Sequence, residues 1–228
     1  MIQPPAFTPR PQAADDVAAA LAALVATSGS ADHPHVRRLA AVRADTPREL
    51  VADTLHYLCI LHGRQPSLAE VAARLGDMLV PHGWLDNAAT AFAAERAWIA
   101  QLSVTAGAPP AEPGQISTEE LVAGQRQALL TLVRSDRRGC LLGAIAATLL
   151  DWEAVQGALA AVGERVGIPL ARSSGSWPAR AETLAIIDKA AGNEPLVGRA
   201  ILFAAQQVVA QQRAFWDLLD ARHAVRTA

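Results

Sequence analysis

Signatures of common enzyme chemistry are missing from this chain. It has no G-x-S-x-G elbow, no P-loop, no G-x-G-x-x-G and no H-E-x-x-H. Hydrolase, nucleotide, dinucleotide and zinc-protease chemistry therefore go unsignalled. Cysteine is nearly absent: Cys59 and Cys140 lie far apart and match no CxxC or zinc spacing, which excludes a disulfide framework and predicts buried reduced thiols. Aromatics are scarce at 4%, with five Trp against four Phe and one Tyr. An excess of charge of either sign is lacking too. The net charge of −2 gives no electrostatic reason to expect nucleic acid or an anionic membrane as partner. Alternating polar and β-branched runs are absent, so no strand is predicted.

What is present is helix. Hydrophobic residues make up 51% of the 228 positions, much of it Ala, the best helix former. The run Gly139-Cys-Leu-Leu-Gly-Ala-Ile-Ala-Ala-Thr-Leu-Leu150 is apolar on every side. It is shorter than the about 20 residues of a bilayer span, so it reads as a helix sheathed by others in an all-α protein. Gly139, Gly143 and Ala147 fall on one face of it, a spacing that lets two helix backbones approach closely.

Around that rod the punctuation predicts nine or ten helices in a multi-helix bundle. Residues 1–12, with Pro4, Pro5, Pro9 and Pro11, read as an extended or disordered arm. Residues 13–228 read as a single helical domain with a proline-rich linker near 107–116. The stretch Val17–Ala26 resembles a signal-peptide core, but Asp15 and Asp16 stand where positive charge belongs, so the expected location is cytoplasmic. Thr46-Pro47-Arg-Glu49, Ser67-Leu-Ala-Glu70 and Ser117-Thr-Glu-Glu120 have the form of capping boxes. Asp86 or Asn87, Asp136 and Asp151 are further candidate caps, the last opening a separate helix to Gly167. Ser176-Trp-Pro178 and Asn193-Glu-Pro195 open the last two helices, the final one being the longest.

Few side chains interrupt the apolar faces. Phe92, Glu95, Ile99 and Leu102 share one stripe, so Glu95 must be paired with an arginine, carry a raised pKa, or serve as a ligand. Asp53 and His56 lie three apart on one helix, and Asp220 and His223 repeat the spacing on the last. Carboxylate-x-x-His pairs of this kind hold iron or manganese in ferritin-like bundles, which makes Asp53, His56 and Glu95 the candidate metal ligands. His33, His35 and His82 fall in predicted loops and have no carboxylate partners at metal spacing. In Arg134-Ser-Asp-Arg-Arg138, Arg134 suits a helix C-terminus, whereas Arg137 and Arg138 sit where the next helix begins and positive charge is disfavoured. Acidic partners or a bound anion would reverse that sign. Gln65–Gly76 has the form of the first half of a helix-turn-helix, but Asp77–Trp84 supplies no basic recognition helix.

The segment Tyr57–Arg64, Glu95-Arg-Ala-Trp98, Arg137-Arg-Gly-Cys140 and Asp151-Trp152 together resemble an uncharacterised all-helical family from high-GC bacteria. That resemblance implies an α-helical domain and transfers no catalytic residue. The expectation is a non-enzymatic binding or interaction protein without a cofactor. It takes a protein or small-molecule ligand and is open to homo-oligomer formation. Arg134, Arg137, Arg138, Glu95, Trp98 and Trp152 are its candidate ligand residues. A metal-dependent oxidoreductase and a DNA-binding protein are the competing classes.

Overall fold

The computed structural model describes residues 17–43, 45–111, 114–169, 177–192 and 194–227. The Pro-rich arm, Ser176 and Asn193 lie outside them. The described residues form nine α-helices and no strand. These are α1 (Val17–Ser28), α2 (Pro34–Ala40), α3 (Arg48–Leu61), α4 (Leu68–Leu75), α5 (His82–Ala106), α6 (Gln115–Val133), α7 (Cys140–Val166), α8 (Arg180–Ala191) and α9 (Pro195–Thr227), with a 3-10 turn at Ser30–Asp32. The all-α expectation holds.

Every residue from Cys140 to Trp152 is buried. Helix α7 packs against α1, α2, α4, α5, α6, α8 and α9, as a helix apolar all round must. By length and composition it is also apolar enough to cross a membrane, yet 67% of the relevant window is buried inside the fold. Its closest neighbour is α9. A Cβ on Gly143 would lie 2.8 Å from the Ile201 Cα, and one on Gly139 would lie 2.9 Å from the Val197 carbonyl. Small residues on α7 thus let the two backbones touch. Gly139 meets Val197 and Gly143 meets Ile201, while farther on Asp151 and Trp216 share Ser30. The two helices therefore run in the same direction, and their N-terminal ends lie together.

Several boundaries differ from the sequence reading. The capping box at Ser67 and Glu70 is present with both reciprocal bonds, and Gly107, Gly167 and Gly192 do end helices. At α3, however, the cap is Pro47, and Thr46 Oγ1 instead accepts from the Arg43 backbone. Helix α5 begins at His82, ahead of Asp86, because Pro81, with φ −59° and ψ 128°, is its non-helical cap after a turn at 77–80. Gly114 and Gly139, both in the left-handed region, cap α6 and α7 in place of Ser117 and Asp136. Asp151 opens no helix. It sits inside α7, 2% exposed.

Candidate functional site

Where α7 and α9 start together, the surface opens into a cleft of about 550 Å³ lined by Arg137, Arg138, Glu194, Leu196, Val197, Arg199, Ala200 and Phe203. Three arginines face one glutamate. Arg138 takes that glutamate, at 2.9 and 3.4 Å. Arg137 lies over the Phe203 ring at 5.8 Å, and among the described residues neither it nor Arg199 has an ion pair. Leu196 is 74% and Phe203 43% exposed. The helix starts add partial positive charge to the same place. The cleft thus offers cationic donors beside an uncovered apolar surface. Arg134 is not part of it, being the exposed C-cap of α6.

Among the described residues, Glu95 is paired with no arginine. It is buried on α5 and accepts from Trp152 Nε1 at 3.2 Å and Gln156 Nε2 at 2.5 Å. Burial raises its pKa, and the two hydrogen bonds only partly offset that. The arginine next to it, Arg96, turns instead to Glu70 with two bonds of 3.1 Å. Trp152 also meets His62 edge-on at 5.0 Å. Burial pushes His62 down to about 4, so it is neutral, and its Nε2 accepts from Gln212 Nε2 at 3.3 Å. Trp98 stands apart, donating to the Ile168 carbonyl. Glu95 and Trp152 are therefore brought together, but within the core.

The metal candidates are dispersed. Asp53 accepts two bonds from Arg222, at 2.9 and 3.0 Å, and a third from Arg226 at 2.8 Å. Burial alone would raise its pKa, but the two guanidinium groups outweigh that and hold it below the usual carboxylate range. His56 turns to Glu119 at 2.9 Å. Asp220 pairs with Arg38. Among the described residues, no group of three or more His, Cys, Asp or Glu is placed to hold a metal ion. A carboxylate saturated by two arginines also has little capacity left for a cation.

Residues 25–227 match the family of unknown function DUF6975. The chain belongs to this family. No curated protein and no solved structure matches the chain. The family carries no assigned activity, so the chemistry of its member has to be read from the side chains themselves.

Three polar features escaped the sequence. Asp151 accepts from the Ser30 backbone and hydroxyl at 2.6 Å each, and Ser30 in turn accepts from Trp216 Nε1 at 2.7 Å. Burial raises the Asp151 pKa against those bonds. His33, read as a loop residue, is the buried cap of α2 and meets Asp217, 184 residues away in the chain, at 3.0 Å. The Asp53–Arg222–Arg226 cluster joins α3 to the end of α9. These contacts span more than 100 residues of chain, and no local spacing encodes them. The first half of the apparent helix-turn-helix, α4, is followed by a helix whose first turns bear buried Trp84, Leu85 and Ala88, not an exposed basic row.

Proposed function

We propose that this protein is a non-enzymatic binding module whose ligand seat is the cleft between the starts of α7 and α9. The ligand class is an acid carried on an apolar body. The observation that carries this reading is the pairing of Arg137 and Arg199, with no ion pair among the described residues, with exposed Leu196 and Phe203. Guanidinium groups bind carboxylate and phosphate through charge-assisted bonds, and Leu and Phe side chains gain roughly 1.5–3 kcal/mol each when fully covered. Structural work already employs the other polar candidates: Glu95 with Trp152, Asp53 with its arginines, Asp151 with Ser30.

Thermal unfolding tests the reading with three probes. Octanoate supplies charge and chain, phosphate charge alone, and octanol chain alone. Octanoate should raise the Tm of the wild type most, since a ligand at 100 times its Kd stabilises by about 2.7 kcal/mol. The double variant Arg137→Ala/Arg199→Ala should lose that response. Equal protection by octanol, or an undiminished response in the double variant, refutes the seat.

A further inference from the structure

A second uncovered surface lies on α6. It is a shallow groove of about 600 Å³ whose walls include Glu120, Leu121, Gly124 and Gln125. Leu121 is 60% exposed. A Cβ on Gly124 would meet nothing within 4 Å, so another helix can come close there. Glu120, beside Leu121, is exposed. The groove thus offers a carboxylate beside apolar surface and suits a cation flanked by apolar side chains.

The start of α9 presents that complement. Leu196, Arg199 and Phe203 recur at helical spacing on its exposed side, with Arg137 beside them. We infer that the partner of the cleft is a second copy of this chain, with the α9 stripe of one protomer laid in the α6 groove of the other. Arg199 meets Glu120, while Leu196 and Phe203 cover Leu121 across the gap left by Gly124. The inference rests on the binding reading above and names its occupant. The groove also includes Gln211, so both surfaces border α9. Reciprocal docking then closes into a twofold dimer in which each copy gives a cleft and a groove.

Size-exclusion chromatography with light scattering on the full chain tests it, beside octanoate-dependent unfolding. The wild type should have a mass of twice 24.0 kDa. Arg199→Glu and Glu120→Arg should each be monomeric, and the double variant should recover the dimer because the charges are exchanged. Gly124→Leu should be monomeric with unchanged helix content and should respond to octanoate more strongly than the wild type, since its cleft is no longer covered by a partner. A monomeric wild type that octanoate stabilises overturns the self-docking and leaves the cleft reading standing. A monomeric wild type indifferent to octanoate ends both. A dimer insensitive to Arg199→Glu, Glu120→Arg and Gly124→Leu places the interface elsewhere and also overturns the inference.

Discussion

Two glycines on α7 should respond to the same substitution with opposite sign. A Cβ at Gly143 would fall 2.8 Å from Ile201 Cα and carbonyl carbon, where carbon atoms ordinarily sit about 3.5–4.0 Å apart. Gly143→Ala thus forces α7 and α9 about 0.7–1 Å apart, and neither obstacle is a side-chain tip that can swing away. Overpacking of this kind costs about 1–3 kcal/mol. For a chain of this length each kcal/mol moves the midpoint by about 2–4 °C, so a fall of about 2–12 °C is expected. At Gly157, exposed on the same helix, a Cβ meets nothing within 4 Å. Gly157→Ala should gain about 0.5–1 kcal/mol from helix propensity and raise the midpoint by about 2 °C. Differential scanning calorimetry of both variants measures the pair. If Gly143→Ala melts at or above the wild-type temperature, the α7–α9 seam is not the tight contact described here.

Other perturbations probe the buried polar groups. Protonated Glu95 is favoured by the fold, so its contribution is complete below the unfolded carboxyl value of about 4.3 and is lost as pH rises through the higher folded value. Glu95→Gln should accordingly raise the Tm at pH 7.5 and change it little at pH 4; the reverse order would show that Glu95 is a satisfied anion. His62, at about 4, and His35, at about 3, are held neutral chiefly by burial. Their contribution is full above the unfolded value of about 6.5 and falls away as pH drops toward those folded values. Urea midpoints should therefore decrease from pH 7 to pH 5, less so in His62→Gln, and a flat profile contradicts the burial. Asp53→Ala removes the carboxylate that accepts three bonds from Arg222 and Arg226 and should cost about 3–5 kcal/mol in urea unfolding. A loss below 1 kcal/mol would mean that water already serves those arginines.

The fold was legible wherever short-range physics settles it. The apolar run at Gly139–Leu150, the Ser67–Glu70 box and the glycines at 107, 167 and 192 each act within one or two turns. Asp151 misled because an acid after an apolar run usually marks a new helix start. Here its carboxylate is consumed by the Ser30 turn, so α7 continues for sixteen residues past Leu150. Glu95 is legible as the buried acid of its stripe, while its partners Trp152 and Gln156 come from a different helix. Of the arginine cluster, Arg137 and Arg138 do converge on one surface, but Arg199 and Phe203 join them only through the close α7–α9 contact. Nothing in either segment alone announces that meeting.

The order of elements along the chain has a consequence for biosynthesis. Helix α7 is translated well before α9, which supplies Ile201, Val208, Phe215 and Trp216 to the core. Until that later strip of polypeptide has left the ribosome, one flank of α7 stays uncovered. Nascent intermediates of this length with bare apolar surface are prone to aggregate, so truncations that remove α9 should be recovered with chaperones or in inclusion bodies, however intact the first six helices are.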